Sequence, residues 1–337
     1  MNGPRSTPAD PPTLDNHVLH IDADAAITGI CTRMRDILAR DLSRRGFVVA
    51  MSGGIDSSVC AALAVRAIGP ERVYGLLLPE RDSSATSVTS GRDLAERLGI
   101  RYHIFDIAPT LDAIGCYRWR DEAIRRVFPD FESDWKSKIV IGGGLEGGVN
   151  HFRLVVQTPG GETRQQRLGL RDYLQIVAAT NYKQRIRKTV EYFHADRLNY
   201  AVVGTPNRLE YDQGFFVKNG DGSSDIKPIA HLFKTQVYAL AHHMDLPAEI
   251  RAAVPTTDTY SLAQGQDEFY FALPYQQLDL AIWARNHGCT PAQLATALQI
   301  TEQQAARIYR DIDAKRRATR YGHMKAVLVE PVPELGL

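Results

Sequence analysis

The sequence predicts an α/β fold, a doubly wound parallel sheet covered by helices, and three observations carry that prediction. Short apolar runs alternate with stretches of helical periodicity through the N-terminal third of the chain. The first run opens directly into a glycine- and serine-rich turn, and the same rhythm returns after about residue 173. Apolar runs of this kind suit strands buried on both faces, which βαβ crossovers produce.

In chain order, apolar residues at Ile27, Ile30, Met34, Ile37, Leu38 and Leu42 predict an amphipathic helix over Asp24–Leu42. Phe47–Met51 reads as a strand, Ser52-Gly-Gly54 as a turn and Ser57–Ile68 as a helix. Val73–Leu78 repeats the strand pattern, a helix is expected from about Ser87 to Leu98, and Tyr102–Ile107 reads as a third strand. Ligands of such sheets bind outside the C-terminal ends of the strands, so the turn at Ser52 is where a site is expected. A helix follows over Leu111–Arg126. Between Asp130 and Leu170 the character changes: glycines cluster at Gly142–Gly144 and Gly147-Gly148, and Phe152–Gln157 looks like a strand, which together predict an inserted β-hairpin. The α/β rhythm resumes with a helix over Tyr173–Ala195 and the strand Tyr200–Val203. A long loop to about Ile229 carries Glu210, Lys218, Asp221, Asp225 and Lys227, and loops of this length in compact domains are usually lids or disordered segments. The expected division is a disordered leader at 1–22, a main domain at 23–288 containing the hairpin, and a C-terminal helical pair and tail at 289–337 packed on that domain.

Composition narrows the function classes. With 337 residues and 44% apolar content the chain can build a sizeable core. Its 40 basic and 39 acidic side chains nearly cancel, so the broad positive field of a nucleic-acid or anionic-membrane binder is missing, while a small anionic ligand remains allowed. Cys31, Cys60, Cys116 and Cys289 form no C-x-x-C pair, which supports neither a zinc site nor a disulfide framework and fits a reducing cytoplasm. No apolar run at the N-terminus resembles a signal peptide or a membrane span. Among the histidines only His17 and His20 have ligand-like spacing, and they sit in the leader; His231 and His242-His243 read as structural.

The chemistry begins at Ser52-Gly-Gly-Ile-Asp-Ser-Ser58. A glycine turn between a strand and a helix start presents backbone N–H groups and the helix dipole to an anion. Ser52, Ser57 and Ser58 can add hydroxyl hydrogen bonds, and Gly53 and Gly54 let the backbone approach phosphate oxygen. Asp56 is too negative to touch phosphate and suits a Mg²⁺ ion bridging the phosphates instead. No lysine follows the glycines, so this is not a Walker A loop, and it is not the G-x-G-x-x-G dinucleotide fingerprint.

S-G-G-x-D-S after a first strand resembles the pyrophosphate loop of the N-type ATP pyrophosphatases, whose shared chemistry cleaves ATP to AMP and pyrophosphate. Within that group the chain resembles the NAD synthetases. Asn181-Tyr-Lys-Gln-Arg-Ile-Arg187 is similar to their N-x-x-A-R-x-R segment, Gly204-Thr-Pro-Asn-Arg-Leu-Glu210 to their G-T-x-x-x-x-E, and Gly214–Asp225 to their G-x-x-T-K-x-G-D-G-x-x-D. Pro228–Lys234 resembles P-x-x-x-L-x-K, and Pro255–Asp258 and Gln266–Glu268 complete the set, in the family's order over roughly Asp24 to Gly288. Two positions depart from the pattern: Val217 stands where the family usually has Thr, and Pro206 replaces a polar residue.

The resemblance implies a Rossmann-like, adenine nucleotide alpha-hydrolase-like fold and an ammonia-dependent amide ligase. It makes Asp56 and Glu210 the Mg²⁺ ligands and puts Lys218 and Lys234 near the ATP phosphates and the developing oxyanion, with Asp56, Lys218 and Lys234 forming the catalytic set. It implies that Thr205 and Thr256 contact ATP, and that Arg81, within Leu78–Ser84, lies where adenosine is received. It assigns Asn181, Arg185, Lys218, Asp221 and Asp225 to the acceptor, nicotinic acid adenine dinucleotide. ATP and Mg²⁺ are the implied cofactors, ammonia the nitrogen donor and a homodimer the implied assembly. With so few residues before the synthetase region, no fused glutaminase domain is expected, and free ammonia or a separate glutaminase is the expected source.

The alternatives are a related ligase adenylating another carboxylic acid, a catalytically silent adenine-nucleotide binder, which would not need the Asp56, Glu210 and Lys234 set, and a DNA-binding helix-turn-helix over Thr290–Arg320. The balanced overall charge favours a closing helical pair for the last of these.

Overall fold

The structure, a computed structural model, describes residues 14–142, 151–253, 260–262 and 273–335. Its main sheet has four strands, β1 (Phe47–Ala50), β2 (Val73–Leu77), β3 (Arg101–Ile104) and, from far downstream, β7 (Ala201–Val203), in the order β3-β2-β1-β7. All three pairings are parallel. The chain walks outward from β1 to β3 and then returns to lay β7 on the other side of β1, so β1 and β7 flank the point where the strand order reverses. Crevices outside the strand C-termini at such switch points are where open α/β sheets bind ligands.

Both faces of the sheet are covered, and the period-2 alternation of side chains splits them cleanly. Phe47, Val49, Val73, Leu77, Ala201 and Val203 pack into one core with α1 (Ala23–Asp36), α2 (Ile55–Ile68) and α8 (Lys234–His243). Val48, Leu76 and Val202 point the other way, into a core with α4 (Ala108–Ala113), α5 (Cys116–Val127) and α6 (Leu170–Leu198). The expected doubly wound fold is therefore observed. α3 (Ala85–Arg97) leads into β3, whose residues are half-buried or exposed at the sheet edge.

Three expectations need correction. The single helix expected over Leu111–Arg126 is two, because Gly115 takes φ +79, a left-handed conformation that ends α4 and that side-chain-bearing residues seldom adopt. The expected hairpin is a three-stranded antiparallel sheet, β4 (Lys136–Gly142), β5 (His151–Gln157) and β6 (Thr163–Arg167), in that order. Ile139, Leu154 and Val156 press one face of it onto Ala123, Ile124 and Ile176 of α5 and α6. The leader expected to be disordered through residue 22 is packed from Leu14 onward: Leu14 and Leu19 are buried in a third core with α10 (Tyr275–Asn286), α11 (Pro291–Leu298) and α12 (Glu302–His323).

That core also holds Leu209, from the long segment after β7, and Phe233, just before α8, so the C-terminal helices share a core with residues around the sheet's C-terminal edge. Lys315 pairs with Asp311, and Arg316 with Asp212, so two cations of the suspected helix-turn-helix are engaged within the fold. Among the described residues no helix is long and apolar enough to cross a membrane.

Candidate active site

A cavity of about 1280 Å³ opens at the switch point. Ser52, Gly53, Gly54, Asp56 and Ser57 line it from the turn after β1, and Gly204, Thr205, Pro206 and Glu210 from the segment after β7. Gly53 sits at φ +77, and a Cβ there would lie 2.5 Å from the Ser87 carbonyl oxygen, so both conformation and space demand glycine. Gly54 is the N-cap of α2 and offers the first-turn amides no side-chain acceptor, the condition under which a helix N-terminus can receive an anion. The serine hydroxyls brace the turn. Ser57 and Ser58 donate to the Gly54 carbonyl at 3.0 and 2.8 Å, and the Ser52 and Ser57 hydroxyls lie 3.1 Å apart. Ser58 is buried behind the turn and does not line the cavity, so its placement is that of a brace.

Asp56, in the first turn of α2, meets Lys234, the first residue of α8, in an ion pair in which the lysine is buried and the carboxylate is 17% exposed. Asn207 joins this pair to Glu210. Its Nδ2 donates to Asp56 Oδ1 at 3.1 Å, while its Oδ1 accepts from the Leu209 and Glu210 amides as the N-cap of α7 (Arg208–Gln213). Glu210 closes the capping box by accepting from the Asn207 amide at 3.1 Å. Burial works against the charge on Lys234, but Asp56 and then Glu210 outweigh it and hold the amine above its ordinary range. The lysine is thus a permanent cation at neutral pH, within electrostatic reach of both carboxylates.

Asp279 fixes the start of α8 by accepting from the Lys234 and Thr235 amides at 3.3 and 2.8 Å. Burial pushes its carboxyl up to about 6 from an ordinary 3.8, despite those two donors. A raised carboxyl contributes stability that is fully present below the unfolded value and is lost as pH rises through the folded one. The stability of the wild type relative to Asp279→Asn should therefore fall between about pH 4 and pH 6; urea unfolding of both proteins across that range checks it.

The predicted acceptor helix, α6, is tied to the segment after β2 by buried charge. Lys183 Nζ reaches Glu80 Oε1 at 2.9 Å and Asp82 Oδ2 at 2.7 Å, and Arg120 of α5 reaches the same Asp82 oxygen at 2.7 Å. Burial alone would raise the Asp82 carboxyl, but Lys183 and then Arg120 hold it below its ordinary range. Tyr117 donates to Glu80 Oε2 at 2.9 Å, and Arg187 donates to the Leu78 carbonyl at 3.3 Å. Lys183→Met would leave Asp82 with Arg120 but the buried Glu80 with the Tyr117 hydroxyl in place of a cation, and should cost about 3 kcal/mol or more, measurable as a lower urea midpoint.

The remaining sequence-predicted residues separate into two groups. Arg81, Asn181 and Asp221 line the cavity with Thr205 and Glu210. Arg81 lies over the Tyr117 ring at 4.0 Å. Asp221 accepts from the Val217 amide at 2.7 Å, and burial raises its carboxyl above the ordinary range. Arg185, Lys218 and Asp225 do not line it. Arg185 donates to the Lys218 carbonyl at 3.3 Å, and the Lys218 amine donates to the Tyr321 carbonyl of α12 at 3.0 Å while lying 3.9 Å from that ring's centroid. Asp225 accepts from the Val202 amide and the Tyr192 hydroxyl, which anchors the loop to β7 and α6. Thr256, with the Pro255–Asp258 and Gln266–Glu268 motifs, lies outside the described residues.

Two features went unread in the sequence. Asn207 had a visible signal, the Asn-x-x-Glu spacing of a capping box, whereas nothing local pairs Lys183 with Glu80 and Asp82 a hundred positions away.

The NAD synthase family model matches residues 26–127 and 157–320, well over half of the chain. The chain is 54% identical over 315 residues to the NH(3)-dependent NAD(+) synthetase of Rhizobium meliloti, covering 93% of each chain. It is 53% identical over 318 residues to that of Mesorhizobium japonicum, covering 94% of this chain and 100% of the other. Its structure is similar to that of NMN synthetase from Francisella tularensis, with a TM-score of 0.62 at 22% identity, covering 92% of this chain and 99% of that one. It is also similar to the NH3-dependent NAD synthetase of Campylobacter jejuni, with a TM-score of 0.59 at 19% identity, covering 92% and 100%. Those two likenesses carry the fold alone. With the glycine turn, two carboxylates joined through Asn207 and the buried lysine meeting at one switch point, and with that extent of sequence agreement, the chain belongs to the NAD synthase family.

Proposed function

We propose that the chain is an ammonia-dependent NAD synthetase: it adenylates the carboxylate of nicotinic acid adenine dinucleotide with ATP, releasing pyrophosphate, and transfers the acyl group to ammonia to give NAD and AMP. One observation carries this reading beyond family membership. Asp56, Glu210 and Lys234 converge beside the phosphate turn in a cavity that also reaches Asn181 on α6, so an ATP α-phosphate and an acid held along α6 can meet there.

The donor set fits magnesium. Among the described residues no group of three or more His, Cys, Asp and Glu gathers as a metal cage. Mg²⁺ does not require one, since it commonly takes one or two carboxylates and completes its shell with substrate phosphates and water. Asp56 and Glu210 would hold it, with Asn207 fixing both carboxylates. Bound there, it would supply charge neutralisation for the triphosphate and the departing pyrophosphate.

The chain's own groups account for the rest. The α2 amides and Ser52 grip the phosphates; Arg81 and Thr205 flank the nucleotide. A carboxylate oxygen of the acid attacks the α-phosphorus, the bond to the bridging oxygen breaks, and pyrophosphate leaves with its charge facing Lys234. Ammonia then attacks the acyl carbon, and the oxygen that made the attack departs with AMP. Lys218 would leave Tyr321 as the loop over residues 211–229 closes, excluding the water that competes with ammonia for the adenylate. No protein nucleophile is needed.

We also place the enzyme in the cytoplasm as a homodimer. Cys31, Cys60 and Cys116 are buried free thiols, as a reducing compartment allows. The open edge at β3 carries a contiguous aromatic group, Phe105, His103, His194 and Phe193, with Phe105 and Phe193 exposed, which suits a second copy.

Product analysis tests the reaction. With ATP, ammonium, Mg²⁺ and the dinucleotide acid labelled with ¹⁸O in its carboxylate, the products should be NAD, pyrophosphate and AMP carrying one label. ADP and phosphate, or unlabelled AMP, would reject the mechanism; turnover of a different acid only would favour the related ligase.

A further inference from the structure

The inserted sheet lies mostly outside the stretches that match the family model, which breaks off between residues 127 and 157. It nevertheless builds part of the cavity wall. Trp135 and Lys136, at the start of β4, and Phe152, on β5, all line the cavity, and all three fall in the unmatched stretch.

The placement follows from strand geometry. Side chains two apart share a face, and the row that buries Leu154 and Val156 against α5 and α6 ends at Phe152, where the strand reaches the cavity. Phe152 is half-buried and stacks on Tyr173 of α6, with ring centroids 4.0 Å apart and planes at 13°. Trp135 packs on the same core, with the Arg164 guanidinium 4.8 Å from its ring. Next to it, Lys136 is exposed and its side chain makes no hydrogen bond or ion pair among the described residues. β4 is also fastened at this point. The Ser137 amide donates to Ser261 Oγ at 2.8 Å and its carbonyl accepts from the Leu262 amide at 3.2 Å, and Ser261 and Leu262 line the cavity too.

A wall of this composition has a definite chemistry. Aromatic rings at a cavity rim stack on planar heterocycles, and a neighbouring cation without a partner suits a phosphate. The volume agrees, because about 1280 Å³ exceeds the roughly 300–1,000 Å³ of a site for one small ligand and leaves room for two nucleotides side by side.

We propose that the inserted sheet is the acceptor-selecting wall of this enzyme, in which Phe152 and Trp135 hold a planar ring of the dinucleotide acid and Lys136 faces its pyrophosphate. This rests on the functional reading above and extends it: the insertion makes the chain discriminate between a dinucleotide acid and the shorter nicotinic acid mononucleotide.

The test uses the full chain and two mild variants, Lys136→Ala at an exposed position and Phe152→Leu, which keeps an apolar side chain on Tyr173. Dissociation constants for nicotinic acid adenine dinucleotide and for ATP are measured by calorimetry, and kcat/KM for the dinucleotide and mononucleotide acids by NAD or NMN formation. Phe152→Leu should weaken the dinucleotide acid about tenfold and Lys136→Ala about three- to tenfold, with ATP binding changed less than about twofold and the preference for the dinucleotide reduced in each. Unchanged dinucleotide binding in both variants, or equal weakening of ATP, overturns the proposal. A wild type inactive on the dinucleotide acid is a different failure, which removes the functional reading and this inference with it.

Discussion

Lys234→Met lowers kcat/KM for NAD formation by roughly a hundred- to a thousandfold, the scale on which a preorganised group facing transition-state charge acts. The lysine is the first residue of α8, nearly fully buried, and Asp56 and Glu210 keep it charged. In the proposed reaction it would already face the charge that builds as pyrophosphate leaves, and the loss should fall on kcat more than on the KM for ATP. Lys234→Arg should not restore activity, because a buried pocket shaped for an ammonium has no room for a planar guanidinium. Steady-state kinetics with a urea midpoint for each variant separates the loss of catalysis from the loss of fold. A Lys234→Met enzyme that folds and keeps a tenth of wild-type activity contradicts the role.

The second large effect concerns the two carboxylates. Asp56→Asn and Glu210→Gln should each lower kcat/KM by roughly a hundredfold or more, and each should raise the Mg²⁺ concentration needed for half-maximal activity at least about tenfold. The double variant should be little worse than either single one, because groups that act as a unit lose their function together. Asn207→Ala should act in the same direction, with Mg²⁺ half-saturation shifted about 10–100-fold, since its amide fixes Asp56 while its carbonyl oxygen caps the helix that carries Glu210. Mg²⁺ titrations of the four proteins decide this; a half-saturation point that stays put in Asp56→Asn removes Asp56 from the metal site.

What was legible in the sequence was whatever depends on local pattern. β1, β2 and β7 are uniformly apolar because both faces of the sheet are covered, and the turn at Ser52–Ser58 announces itself through glycines that the backbone geometry requires. Glu210 sits at the spacing of a capping box, yet the segment reads as a loop by its glycines and charges, and the short helix α7 there is a finding of the structure. What depended on distant partners was not. β6 reads Thr-Arg-Gln-Gln-Arg and is largely exposed; it is a strand only because its backbone pairs with β5, so nothing apolar marked it and the insertion read as a hairpin. Leu14 and Leu19 looked like isolated apolar residues in a polar leader until the C-terminal helices supplied a surface for them. Lys183, in the middle of the Asn181–Arg187 motif, carries no local sign of its ion pairs, because its two carboxylates come from another crossover. Lys218 shows the converse: its motif was plain, but the end of α12 captures its amine at Tyr321, so motif membership placed the residue without placing its charge.

The most direct test of the account is a crystal structure with Mn²⁺ and an ATP analogue whose α,β bridge is methylene, recorded with anomalous scattering from the metal. The triphosphate should rest on the amides and hydroxyls of residues 52–57, with the metal peak between Asp56 and Glu210 and the Lys234 amine facing the phosphates. A triphosphate bound elsewhere in the cavity, or a metal that touches neither carboxylate, would contradict it.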